Sequence, residues 1–377
     1  MTVADLTIGE FLDKGKITAA ASSLAASGDF VIKGRASNHA CPGPPISHYT
    51  DSYNSSAGDY CSQSPDDEGD IIYSGNVDID QGSGGSEIRG DVVAGDTVSV
   101  KGGPGGGQPF VYGWINHTNA CQTTGGPPTS SCSDRITDPS ADNRSIDDVR
   151  TAPPINRFLQ STVDNLENSN DNSGAPISGD RLDFSAAGPP TDVELTSGRY
   201  YLERIEFAGS GDRIEFDTSG GDIVIGVRGD VNMPNGAEME VVGDGAVKMY
   251  VEGESSFSDG DGWTFDMEKT NVVTTPDDTA EQFRIYGQEN FSFRMGNDVD
   301  NELVGIIYAP PGTSGTGEVF LDKGNIYGGV LTGTTKIKNQ GSIHYDEALQ
   351  GKRIISRDAK VLKITYLHVS VNRVRVD

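Results

Sequence analysis

Short apolar runs stopped by Gly, Asn or Asp recur along this chain and are densest between Glu302 and Leu349. Leu303–Tyr308, Val319–Leu321, Ile326–Tyr327, Val330–Leu331, Lys336–Lys338 and Ile343–Tyr345 follow one another with turn residues between them. Runs this short, with no helical period, predict strands. Set end to end, they predict a coiled sheet in which each coil adds a rung over a continuous column of Val, Ile, Leu and Phe. The expected fold is all-β, a right-handed parallel β-helix or β-solenoid with a loop-rich insertion and one packed α-helix.

The same pattern divides the chain. Residues 1–28 form an N-terminal segment with a possible helix stub around Phe11, Leu12 and Ile17. Residues 29–101 hold the first β rungs and a cysteine loop. Residues 102–190 are a Gly/Pro-rich insertion with a helix at 155–168, where Ile155, Phe158, Leu159, Val163 and Leu166 recur at spacings of three and four behind Pro153–Pro154. That helix is expected across one end of the solenoid, hiding an open sheet edge. Residues 191–349 form the main solenoid, with strict alternation in stretches such as Arg213–Asp217.

Residues 350–377 are a basic C-terminal strand on an acidic molecule, expected to dock on its own solenoid flank in preference to a neighbour. An internal echo aligns Ile88–Thr97 with Ile326–Thr335, sharing the Ile, Gly, Val, Gly and Thr positions, and Val227–Val231 is a third partial copy.

Composition narrows the partners. The net charge is -27 and 49 residues are Gly, while 34% of residues are apolar. Such acidity opposes a nucleic-acid partner, which needs clustered Lys and Arg. Spread along the chain, it fits a surface that stays soluble at high salt, and so a halophilic source. No apolar run approaches a bilayer span and no basic-then-apolar leader stands at Met1. Any membrane contact is therefore expected through a segment missing from this sequence.

Four cysteines, Cys41, Cys61, Cys121 and Cys132, sit in polar loops. Local pairs Cys41–Cys61 and Cys121–Cys132 suit their spacing, although three pairings are possible, and CxxC zinc spacing is absent. N-x-[ST] sequons at Asn54, Asn116, Asn143 and Asn290 join the disulfides in pointing to an exported, glycosylated protein.

Chemistry-bearing residues do not assemble into a motif. Asp259, Asp261 and Asp266 resemble a calcium loop but lack the offsets of an EF-hand, so a solvated acidic loop is preferred and no cofactor is expected beyond calcium. Glu203, Glu206, Glu215 and Arg213 offer carboxylates without a spacing that singles out a catalytic pair, and no enzyme is expected. The histidines at 39, 48, 117, 344 and 368 are scattered. His39 and His117 lie near Cys41 and Cys121, where disulfide loops are preferred to metal. Two Arg-Gly-Asp triplets, at 89–91 and 228–230, fall on expected corners.

Two segments, GNIYGGVLTG…GSIHYDEAL at 324–349 and ITYLHVSVNRVRV at 364–376, resemble the C-terminal region of haloarchaeal exported proteins related to type IV pilins. The Gly-punctuated rungs are also similar to those of polymer-forming bactofilin-type proteins. The resemblance implies a β-rich ectodomain on the surface of a salt-loving archaeon. The expected function is a structural cell-surface protein, a pilus-associated subunit or adhesin-like scaffold. It would act by presentation and assembly with its own kind or with other surface subunits, through Tyr366, Leu367, Val369, Val371, Arg373 and Arg375. Two alternatives are a self-polymerising filament that donates its terminal strand, and a carbohydrate-binding or carbohydrate-active β-helix.

Overall fold

The computed structural model describes residues 24–25, 28–34, 48–81, 87–101, 110–124, 132, 143–145, 150–151, 155–175, 177, 180–184, 192–209, 211–253, 262–275, 279–288, 290–296, 298–309 and 317–349. They form a parallel β-helix. Every strand ladder among them is parallel, the one antiparallel contact being an isolated bridge between Ser52 and Asp66. Each rung visits three faces in turn, here called sheets I, II and III. One rung, for example, is Val231–Met233, Glu238–Val242 and Val247–Val251.

Alternation decides which side chains enter the stack. Along sheet I the inward column reads Leu182, Ile205, Val231, Phe265, Phe293, Val319, Thr335, Phe30, Val77, Val98 and Cys121. Along sheet II it reads Val193, Ile214, Met239, Val272, Leu303, Ile326, Ile343, Thr50, Ile88 and Val111. Most of these residues are fully buried, and burial of such columns is the dominant stabilising term of the fold. The separate short strands read between Glu302 and Leu349 fuse into three long ones, Glu302–Ala309, Glu318–Thr332 and Thr334–Asp346, the last two paired with a register shift between Leu321 and Lys323.

The columns also show that the stack is not in sequence order. The chain enters near its middle and builds rungs to one end at Ala120–Thr124. Asn143–Ser145 then pairs beyond Ile115–His117 and Arg150–Thr151 with Leu24–Ala25, and after the helix the chain resumes the stack at its opposite end, at Arg181–Asp183, and builds back. The last strand, Thr334–Asp346, completes the middle by pairing with Phe30–Gly34 on sheet I and with His48–Tyr53 on sheet II. We call this junction the seam. Residues 110–124, placed by the sequence pattern in an insertion, thus form a further rung of the stack.

At one end of the stack Cys121 terminates the inward column of sheet I and is joined to the buried Cys132. At the other, Asp171, Asn172 and Asp180 hydrogen-bond along the first strand of sheet III and the turn that follows it. The Asp171 N–H donates to Arg199 O at 2.7 Å, the Asn172 amide pairs with Tyr201, and the Glu203 N–H donates to Asp180 O at 2.6 Å. Phe184 stacks on Phe207 at 4.7 Å beside them.

The helix α1 (Asn156–Asn168) does not lie across an end, as expected, but along the flank of sheet III, against the strands Gly198–Leu202, Ile223–Val227, Val247–Val251 and Phe283–Gly287. The reason is an apolar outer face. The outward column of sheet III reads Tyr201, Gly226, Tyr250, Tyr286, Tyr308 and Leu331, a surface that needs a cover. Leu159, Val163 and Leu166 bury against it, and Phe158 meets Tyr250 edge-on at 5.9 Å. Gly226 makes room, since a Cβ there would stand 2.9 Å from Leu166 Cδ1. The helix stops where the Asn170 side-chain amide caps Leu166 O at 2.9 Å.

Arg228, from the second Arg-Gly-Asp triplet, staples α1 through Asp164 at 2.8 Å and Glu167 at 3.0 Å. Asp164 and Glu167 are about half exposed, but Arg228 also stands 3.6 Å from the buried Glu252, so Arg228→Ala is expected to cost about 2–3 kcal/mol, most of it from the stranded carboxylate. Amide exchange should quicken in 156–168 and next to Glu252 more than in the rest of the sheets, and uniform quickening would contradict a local staple.

The echo is partly a real repeat. Ile88 and Ile326 share one column, and Gly90 and Gly328 both turn the following corner with positive φ. Val227–Val231, however, spans the turn from sheet III to sheet I, so that third copy is not structurally equivalent. The N-terminal segment 1–23 and the basic strand 350–377, with Tyr366, Leu367, Val369, Val371, Arg373 and Arg375, lie outside the described residues.

Candidate functional site

The densest polar chemistry inside the fold is at the seam. The outward column of sheet II begins at the far end as Glu194, Glu215 and Glu240, exposed or half-buried acids. Approaching the seam it becomes Val304, Tyr327, His344 and Asp51. These four are buried because residues 54–63, which leave sheet II after Tyr53, fold back over them. Two 3₁₀ turns, Ser55–Ala57 and Tyr60–Ser62, shape that cover. Gln63 clamps it by donating to Asn54 O at 2.9 Å and Gly58 O at 2.6 Å while accepting from the Asn54 N–H at 3.1 Å.

Under the cover, His344 Nδ1 lies 2.5 Å from Asp51 Oδ1, and the Tyr60 hydroxyl donates to Asp51 Oδ2 at 2.6 Å. Tyr327 stacks on the His344 ring at 4.9 Å, and the Tyr60 ring packs against it at 4.3 Å. Burial and the adjacent Asp51 carboxylate push the Tyr60 phenol far above its ordinary range, so it stays a donor. A buried His–Asp–Tyr set of this kind holds two sequence-distant strands in register.

Asp346 sits nearby and is fully buried. It accepts from the Ser55 N–H at 3.0 Å, the Ser55 hydroxyl at 2.7 Å and the Ala348 N–H at 3.0 Å. Burial nevertheless raises its carboxyl above the usual range, these three hydrogen bonds and a fourth from the Ala280 backbone offsetting only part of the desolvation. A carboxyl raised on folding contributes stability at low pH that is lost as pH rises through its folded value. Asp346→Asn, which resembles the neutral carboxyl that burial favours, is expected to stabilise the protein at pH 7.5 by about 1 kcal/mol. Near pH 3 it should change little. Urea melts at the two pH values check this, and equal effects at both would contradict it.

A pocket of about 110 Å³ opens beside this cluster, lined by Tyr53, Asp59, Tyr60, Cys61, Glu302, Val304 and Tyr327. No motif marked it in the sequence. Its residues come from three separated stretches that only the seam brings together.

The residues singled out in the sequence are mostly dispersed. Asp266 lies in the strand Phe265–Glu268 and is gripped by Arg294, with two contacts of 2.7 Å, so it is not available to a calcium loop. Asp259 and Asp261 lie outside the described residues. Arg213 bridges Glu215 at 3.0 Å, Glu238 at 3.3 Å and Glu240, and Glu206 pairs with Arg204 at 2.7 Å. These are ladders along outer faces.

Cys121–Cys132 is bonded as spaced, and Cys61 is also disulfide-bonded, while Cys41 lies outside the described residues. Among the sequons, Asn116 is 2% exposed within Ile115–His117 and is closed to a glycan in the folded chain. The Asn54 side chain caps a 3₁₀ turn, whereas Asn290 is exposed on a turn. The Asn143 side chain lies outside the described residues. His117 is buried, as is His344, and the side chains of His39, His48 and His368 lie outside the described residues.

Arg89 of the first Arg-Gly-Asp triplet covers Tyr112 at 4.8 Å, and Asp91 accepts the Trp114 N–H at 2.7 Å, so that triplet is a corner and not a displayed loop. Among the described residues no group of three or more His, Cys, Asp or Glu could hold a metal, and no helix is long and apolar enough to cross a membrane.

A family model described as a domain of unknown function (DUF7305) matches residues 138–352, more than half of the chain. The match ends just beyond the seam strand and leaves out the N-terminal rungs. No curated protein and no solved structure matches the chain.

Proposed function

We propose, from the premise that this chain belongs to the DUF7305 family, that it is a structural cell-surface protein that presents a stiff, acidic rod outside the cell. The observation that carries this reading is the long stack of parallel rungs, continuous on sheets I and II. A stack of this length is suited to a stiff shaft. Its outward ladders of Glu and Arg suit a solvent-facing shaft. The disulfides support an oxidising location, and the acidity supports a halophilic surface. A pilus-associated or adhesin-like role is the finer form of the same reading.

Electron microscopy of the purified chain from low to several molar salt tests this. Isolated short rods are expected throughout, and ordered filaments would move the function to assembly. On intact cells, a membrane-impermeant biotinylating reagent should label the protein, and protection from it would overturn the surface location.

A further inference from the structure

The fold separates the N-x-[ST] acceptor sequences whose asparagine side chains it places, those of Asn54, Asn116 and Asn290. A sugar on an asparagine amide is bulky and hydrated, so the folded chain must leave that amide open to solvent. Asn116 does not qualify. It lies in the ladder between Val93 and Arg144 and is 2% exposed. Asn54 is half-buried in the cover of the seam, where its side-chain oxygen accepts the Ser56 N–H at 3.1 Å and its backbone is clamped by Gln63. That loop is committed to closing over His344 and Asp51.

Asn290 differs. It stands at the corner where the chain passes from the sheet III strand Phe283–Gly287 to the sheet I strand Ser292–Gly296. The corner is a tight turn, the Phe291 N–H donating to Gln288 O at 2.9 Å. Phe291 is 1% exposed and anchors the turn from inside, in space that Gly287 leaves open, since a Cβ on Gly287 would run into the Phe291 ring. With its neighbour held inward, Asn290 is left exposed at the corner. Ser292, the third residue of the acceptor sequence, has its hydroxyl bonded to the Thr264 N–H at 3.0 Å and to Gly262 O at 3.3 Å. A transferase needs that hydroxyl, so attachment belongs to the chain before this rung closes. The finished fold then has room for the product at Asn290 and none at Asn116.

We propose that Asn290 carries an N-linked glycan. The inference rests on the surface reading, because it needs the route by which exported chains are modified. The sugar donor is an oligosaccharide held on a lipid phosphate. The Asn290 side-chain nitrogen forms a bond to the anomeric carbon as that carbon's bond to the phosphate oxygen breaks. One amide proton is released, and the lipid phosphate leaves with the bonding pair. A hydrated sugar at this corner keeps the III-to-I edge of the shaft in solvent, so an assembly partner would pack against another side.

The test is peptide mapping by mass spectrometry on the folded full chain, produced in the organism that encodes it, with N290Q beside it. Surface biotinylation is read on the same cells. The peptide holding Asn290 is expected to carry a glycan mass and the peptide holding Asn116 none. N290Q should lose that mass with an unchanged melting temperature. Protein that is surface-labelled but bare at Asn290, or that carries a glycan at Asn116, would overturn the inference and leave the surface reading standing. Protein both protected from the label and bare would overturn the two together.

Discussion

Replacing His344 with alanine is expected to loosen the N-terminal rungs from the rest of the stack and to lower stability by about 3 kcal/mol, the upper range for leaving a buried acceptor without its hydrogen-bond partner. Asp51 is fully buried and His344 is 1% exposed, so no water can take over the lost contact. The effect should be regional as well as large. Strands on either side of the pair belong to segments that are 293 residues apart in sequence, so the contact joins two arms and not two neighbours. Hydrogen exchange should accelerate in 48–101 more than in 213–251. A cycle combining His344→Ala with Asp51→Ala should recover part of the loss, because the double variant leaves no buried charge behind. Additive losses would show that the two residues act separately and would remove the seam pair from the account.

The second large effect is expected at Gly28. Its φ is +109°, open to glycine and strained for other residues, and a Cβ there would stand 2.2 Å from Gly333 O. Gly28 belongs to a corner ladder with Gly333, Gly75 and Gly95, in which the Gly75 N–H donates to Gly28 O at 2.8 Å. The ladder crosses the seam, so a displaced Gly28 disturbs the register of Phe30–Gly34 on Thr335–Asn339. Backbone strain and overpacking together put Gly28→Ala at about 3 kcal/mol or more. Gly221→Ala is the control. It also has a positive φ, of +131°, but nothing lies within 4 Å of its added Cβ. About 1 kcal/mol is expected there from strain alone. Equal losses at the two positions, read from denaturant midpoints, would mean that close approach at the corner contributes nothing.

The coil itself was legible because it is a local property. Alternation in Arg213–Asp217 and the apolar runs of 302–349 each report on a few neighbouring residues, and every rung repeats that report. The helix was legible for the same reason, through Leu159, Val163 and Leu166. Its place was not, because the surface it covers is built from single outward tyrosines on successive rungs, spaced by about the length of a coil. Order in the stack was hidden more deeply. Thr335 and Thr50 are the only polar members of their inward columns until the terminal Cys121, and both fall at the seam, where Tyr73 donates to Thr335 at 2.6 Å. A polar residue in an otherwise apolar column was a usable mark, but only once the columns were known. The pocket was illegible because Tyr53, Glu302 and Tyr327 carry no motif and meet only through the seam.

The order of the rungs also sets the order of folding. During synthesis the rungs of 28–124 are complete long before residues 334–346, the strand they rest on, leave the ribosome. Until then they present an unpaired edge at Phe30–Gly34 and His48–Tyr53, the sort of edge that invites wrong partners. Joining the two arms closes a loop of almost the whole described chain, a step that pays its entropy before any seam contact forms. The slowest event in refolding should therefore be this docking, visible as a late burial of Tyr60 after the coil is already made.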